Sequence, residues 1–303
     1  MALGDMPYGP REQAYPAFRA LIAEINRRAP VFTIHLGDTK SGVDPCSDQL
    51  LLEQRDFMDS FASALVYTPG DNEWTDCHRL LAGTYNPLDR LRFIRTHYFG
   101  TAESLGRHPI RLERQADVMR GFEPFVENSR FRRRDMWFVT AHVVGSNNNL
   151  DNPHVRDQET AQEFFARDKA NRVWLADTFD NAAATNVKAV VVAIHADMFR
   201  DGFDPEQETF ARTSGFKGFG EILVTKAQSF RKPVLLIFGD SHEFRVFRPF
   251  PRSAGNLTAV GVYGAEHMHA VEIAVDPDTV AVFTFKPVQN PALPEAPVAL
   301  PGD

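Results

Sequence analysis

Five apolar runs in this chain end alike, in a short loop that carries Asp or His. Asp5 follows Ala2-Leu3-Gly4, and Gly37-Asp38 ends residues 31–36. Gly70-Asp71-Asn72-Glu73 closes residues 65–69, His195 ends residues 190–194, and Gly239-Asp240-Ser241-His242 ends residues 234–238. Apolar runs of this length read as buried strands. Residues 15–29, 48–63 and 158–182 carry apolar positions at helical spacing, as helices covering a sheet do. The predicted class is α/β. In an open α/β sheet the carboxyl ends of the strands face one crevice, so residues distant in sequence converge there. Asp and His together offer the oxygen and nitrogen donors that divalent cations require. A single Gly-Asp is ordinarily a turn, and a single His after a strand is ordinarily structural. Five such loops point to a metal cluster.

The totals narrow the alternatives. A net charge of -7 and a pI near 5.8 argue against a protein that grips nucleic acid through a basic surface. The basic run at residues 130–134 reads as a solvated turn. Neither GxxxxGK nor GxGxxG occurs, which sets aside P-loop and Rossmann nucleotide sites. Cys46 and Cys77 form no CxxC or CxxH pattern; a disulfide and two buried thiols fit the sequence equally well. The longest apolar runs, 189–194 and 234–238, are too short to span a bilayer. The first motif begins at Gly4, so a leader trimmed from a longer precursor is one expectation, with export favoured over the cytoplasm. Beyond Asp240 the texture turns to short strands at 246–250, 257–262, 269–275 and 279–286. Residues 1–286 read as a single domain. Residues 287–303, with five prolines in seventeen positions, read as an extended surface tail.

In order and spacing these loops resemble the calcineurin-like metallophosphoesterases, a bacterial and divergent subgroup of them. The pattern there runs DxH, GD, GNH followed by an acid, a lone His, and GHxH. Here Asp5, Gly37-Asp38, Gly70-Asp71-Asn72-Glu73, His195 and Gly239-Asp240-Ser241-His242 follow it. The resemblance implies two mixed β-sheets packed as a sandwich flanked by helices, with two divalent metal ions at one rim. It implies hydrolysis of phosphomonoesters or phosphodiesters, small-molecule or nucleotide, by a water activated between the ions. Asp5, Asp38 and His242 would hold the first ion. Asp38, Asp71, His195 and Asp240 would hold the second, with Asn72 as the alternative to Asp71.

Four positions depart from the pattern. Pro7 stands where DxH has its His, Asp71 where Asn is usual, Asn72 where the catalytic His is, and Asp240 where GHxH has its first His. Tyr8 is the candidate to fill the first vacancy and to touch substrate. More oxygen and less nitrogen favours Mn, Fe or Mg over Zn. Loss of the His at Asn72 removes the usual proton donor, a contribution worth ~100- to 10,000-fold; Lys40, His78 and Arg79 are the candidate replacements. Asp38, Asn72 and Lys40 are therefore the candidate catalytic residues. Asn147 and Asn148, after the strand at 136–144, are candidates for substrate contact with Lys40 and Tyr8. His267 and His269 form an HxH pair that rivals Asp240 and His242 for the last motif. The competing reading is a catalytically impaired metal- or ligand-binding protein on the same fold.

Overall fold

The computed structural model describes residues 1–150, 158–276, 279, 282–295 and 300–301. Two mixed sheets carry the fold. The first runs, in spatial order, Phe283–Val288, Ala270–Val275, Ala2–Leu3, Thr33–His35 and Leu65–Tyr67; its last three strands are mutually parallel. The second runs Leu300–Pro301, Arg245–Phe247, Leu257–Gly261, Val234–Phe238, Ala189–Ala193, Met136–Thr140, Ser129–Arg133 and Glu113–Arg114, with a parallel centre from Leu257–Gly261 to Met136–Thr140.

Alternation along the strands builds the layers, because successive side chains point to opposite faces. Val190 and Val192 pack with Trp174, Leu175, Phe179, Phe219 and Leu223 of the helices Gln158–Ala184 and Lys217–Phe230. Val191 and Ala193 instead face Ile34, Val66 and Val271 of the other sheet. On the far side, Leu3, Leu65 and Tyr67 meet Phe18, Leu21, Phe57 and Ile94 of the helices Arg11–Arg28, Asp48–Asp59 and Pro87–Tyr98. The outcome is a four-layer sandwich, helices outside and sheets inside, as the resemblance implies.

Some expectations change. Residues 129–133 form a strand, paired antiparallel with Met136–Thr140, where the sequence suggested a solvated turn. Arg130 is buried, stacked 4.2 Å over Trp174 and paired with Asp177 at 2.6 Å, so its charge is carried inside by partners. The predicted strand 136–144 stops at Thr140. The expected surface tail also differs. The strand Phe283–Val288 at the edge of the first sheet crosses the anticipated boundary, Asn290 is fully buried, and Leu300–Pro301 pairs parallel with Arg245–Phe247. Asn290 Nδ2 donates to Ala17 O and Met268 O, which ties this segment to the body. Residues 280, 281, 296–299 and 302–303 of the expected last strand and tail lie outside the described residues.

Candidate metal centre

The five polar loops leave the carboxyl ends of parallel strands and meet at one rim, where the two sheets touch. Asp5 N donates to Gly37 O at 2.9 Å, Gly239 N to His195 O at 2.8 Å, and Asp240 N to both Asp5 carboxylate oxygens at 3.1 Å. His195 Nδ1 hydrogen-bonds Leu36 O at 2.6 Å, which aims Nε2 into the cluster: it lies 2.8 Å from Asp71 Oδ1 and 3.6 Å from Asp38 Oδ1. Two groups of donors result, Asp5 with Asp38 and His195, and Asp71 with His195 and Asp240; within each, one donor atom per residue lies within 4.8 Å of the others. His242 Nε2 stands 3.5 Å from Asp5 Oδ1. Asp5, Asp38, Asp240 and His242 all have positive φ, between 53° and 67°, a costly conformation that recurs where backbone is bent to a task. The close approach of loops demands glycine at two places. A Cβ on Gly70 would lie 2.0 Å from Asp38 Oδ1, and one on Gly239 would lie 2.5 Å from Asp5 Oδ2.

Around this cluster the remaining sequence candidates divide. Asn72 Nδ2 donates to Asp38 Oδ2 at 2.5 Å and to Tyr8 Oη at 3.1 Å, while Tyr8 Oη itself donates to Asp38 Oδ2 at 3.0 Å. Asn72 and Tyr8 therefore sit on the Asp38 carboxylate. Lys40 is buried, and its Nζ donates to Ser41 O and Asp44 O at 3.0 Å each, so most of its hydrogens hold the turn at 41–44. Asn147 and Asn148 also turn inward to structural partners. Asn147 Oδ1 accepts from Gly215 N at 2.7 Å, and Asn148 Oδ1 accepts from Arg167 Nη1 at 2.5 Å. His78 Nδ1 contacts Thr75 O at 2.7 Å. His269 is buried and its Nδ1 accepts from Asn290 N, and its ring lies 6.5 Å from that of His267; neither belongs to the two donor groups.

Several groups at the rim escaped the sequence reading or gain weight from the structure. Ser146 Oγ lies 3.1 Å from Asp71 Oδ2 and 2.9 Å from Asp76 Oδ1. Ser146 to Asn149 all have left-handed backbone, which only tertiary contacts can hold in residues other than Gly. Arg79 pairs with Asp76 at 2.6 Å, yet 47% of its side chain is exposed, at the edge of Asn72. Glu73 is buried and accepts from Thr39 N at 2.7 Å and Gly70 N at 3.1 Å, locking two of the donor loops together. Cys46 and Cys77 are joined as a disulfide, with the sulfurs 3.5 and 3.6 Å from Asn72 O, directly beneath that loop.

Crowded carboxylates give this rim its electrostatic character. Burial, and then the Asp71 charge, push Asp38 well above the ordinary carboxylate range and push Asp240 and Asp76 up to about 7. Burial opposes ionisation of Asp71 as well, but the His195 hydrogen bond and charge outweigh it and hold Asp71 low. For His195 burial disfavours the cation, and the carboxylates of Asp38 and Asp71 more than offset it. One imidazolium cannot balance so many buried carboxylates. Divalent cations would supply the missing charge, and a set of carboxylate oxygens with a minority of imidazole nitrogen fits them.

No protein-family model matches the sequence, and no curated protein matches it. Among solved structures, the fold is similar to the crystal structure of a dimetal phosphatase from Danio rerio. The TM-score is 0.58 over 87% of this chain and 86% of that one, at 11% identity. A likeness at that identity shows the shared architecture.

Proposed function

We propose that the chain is a metal-dependent phosphoesterase that hydrolyses small-molecule or nucleotide phosphomonoesters or phosphodiesters. The observation behind this reading is that Asp5, Asp38, Asp71, His195 and Asp240, from five separate strand ends, form two adjoining donor groups. Asp5, Asp38 and His242 would hold one divalent ion, and Asp38, Asp71, His195 and Asp240 the other. The oxygen-rich set favours Mn, Fe or Mg over Zn. When bound, the ions polarise the phosphoryl oxygens and make the attacking water acidic.

This chain's own residues orient and balance. Asn72 and Tyr8 hold the Asp38 carboxylate, and Arg79, half-exposed beside Asn72, offers a guanidinium to a phosphoryl oxygen. In the reaction a water oxygen bonds to phosphorus as the ester P–O bond breaks, and the leaving oxygen takes up a proton. With Asn72 in place of an imidazole, good leaving groups that need little protonation are favoured. The disulfide supports an oxidising compartment, in keeping with export. Among the described residues no helix is long and apolar enough to cross a membrane.

The test uses purified full chain with added Mn²⁺, an aryl phosphate and an aryl phosphodiester. Turnover that disappears with chelator and with Asp38→Ala supports the reading. Saturating Mn²⁺ should also raise the melting temperature, since about 2.7 kcal/mol accrues at one hundred times Kd, and Asp38→Ala should abolish most of that rise. A thermal rise without turnover on either substrate would instead establish an impaired metal-binding protein, a reading favoured by Asn72 being tied to Asp38.

A further inference from the structure

The space between the two sheets is not filled to its end. A cavity of about 290 Å³ remains there, walled by Ile34, Phe138, Val191, Leu235 and Ile237, all members of the apolar cluster packed between the sheets. Its exposed lining residues, Val31, Arg133, Arg134 and Ala274, mark the mouth. That mouth lies at the amino ends of the parallel strands. Val31 precedes Thr33–His35, Arg134 precedes Met136–Thr140, and Ala274 lies beyond the antiparallel pairing of Ala2 with Val271. The cavity therefore opens at the opposite end of the sandwich from the donor cluster. Protein interiors are ordinarily close-packed. An apolar cavity of about 150 Å³ already takes up a small hydrocarbon, and pockets that hold ligands begin at about 300 Å³. Charge at the mouth has one sign. Arg133 and Arg134 stand in the turn between Ser129–Arg133 and Met136–Thr140. The carboxylate in that turn, Asp135, lies 3.7 Å from Arg132, and among the described residues neither Arg133 nor Arg134 has an ion-pair partner.

We propose that this cavity binds the anion of an aliphatic carboxylic acid. Two unpaired guanidiniums at the lip of an apolar cavity, on a chain whose net charge is -7, are the complement of an amphiphile with an anionic head. The planar guanidinium matches a carboxylate in a forked hydrogen-bonded pair, so Arg133 and Arg134 hold the head while the tail lies between Phe138, Val191 and Leu235. The occupant is a free acid, because a cavity of this volume walled by both sheets admits one chain and not a bilayer. The walls belong to strands already paired, so binding need order no loop, and the entropy cost of ordering one is avoided. The site is separate from the donor cluster and does not depend on the phosphoesterase reading.

The experiment is isothermal titration calorimetry of the full chain with decanoate below its micelle threshold. One decanoate should bind saturably per chain. Acetate, which lacks the tail, and decylammonium, whose head the arginines repel, should each bind at least about tenfold more weakly, a difference of roughly 1.4 kcal/mol. The variant Arg133→Glu/Arg134→Glu should lose about tenfold or more in decanoate affinity at an unchanged melting temperature, since both side chains are exposed. Val191→Phe, which fills the cavity, should abolish binding; if it melts below the wild type, the arginine variant decides. No saturable binding of decanoate, equal binding of decylammonium, or undiminished affinity in the arginine variant overturns the proposal. Retention on anionic phospholipid vesicles without binding of free decanoate also overturns it, by assigning the two arginines to a lipid surface.

Discussion

Asn72 is the residue whose identity most shapes the expected chemistry. Its carboxamide holds Asp38 and Tyr8 but cannot deliver a proton as an imidazolium can. The variant Asn72→His should therefore raise kcat for an alkyl phosphate by ~100-fold while changing the rate on 4-nitrophenyl phosphate far less. Parallel rate constants for the two esters check this, and an equal change in both would show that position 72 plays no part in leaving-group protonation. Asp5, Asp38, Asp71, His195, Asp240 and His242 were legible in the sequence because each ends or closely follows an apolar run. Ser146 and Asp76 were not. Ser146 reaches Asp71 only because residues 146–149 turn left-handed, and Asp76 matters only because Ser146 arrives there. Asn147 and Asn148 looked like substrate contacts for the same composition that makes them good turn formers, and their amides hold Gly215 and Arg167 instead.

At the scale of elements, strand interiors read clearly where both faces are buried, as in Ala189–Ala193 and Val234–Phe238. Ser129–Arg133 was hidden because arginines make up three of its five positions, and burial of the first depends on partners from elsewhere in the chain. The disulfide was likewise undecided in the sequence, since pairing requires the loop around Cys46 to meet the short helix Thr75–His78. That bond spans 31 residues, a separation worth about 3 to 4 kcal/mol of chain entropy in the unfolded state. Cys46→Ser/Cys77→Ser should lower the melting temperature by a corresponding margin and weaken Mn²⁺ binding, because the sulfurs underlie Asn72. Thermal melts with and without Mn²⁺ measure both. A variant as stable as wild type would mean that the loops are held without the bond.

Across the whole molecule, the α/β class was legible in the apolar runs and helical spacing, and the layer order only through the family resemblance, whereas the buried polar network behind the rim was not legible at all. Glu127 is fully buried between Arg95, at 2.5 Å, and His142, at 2.8 Å. Burial opposes its charge, but Arg95 and His142 together hold it below the usual carboxylate range; burial lowers His142 to about 4. Both groups take up protons more readily when the chain is unfolded. The contribution of His142 is therefore complete above pH 6.5 and is lost as the pH falls from 6.5 towards 4, whereas that of Glu127 is complete above its ordinary value of 4.5 and is lost only below it. The loss at His142 reaches roughly 3 kcal/mol at 1.36 kcal/mol per pH unit. Urea midpoints at pH 7.5, 5.5 and 4.5 should fall in that order, and His142→Gln should flatten the trend; midpoints independent of pH would sink this account. A last consequence follows from where the two sheets touch. Asp5, Asp38 and Asp71 belong to one sheet, and His195, Asp240 and His242 to the other, so no single layer carries a complete donor set. Ile34, Phe138, Val191 and Leu235, packed in the interior between the sheets, thus act as the shims that gauge the gap between the two halves of the centre. Core residues that touch none of the donors thereby set the distance between them.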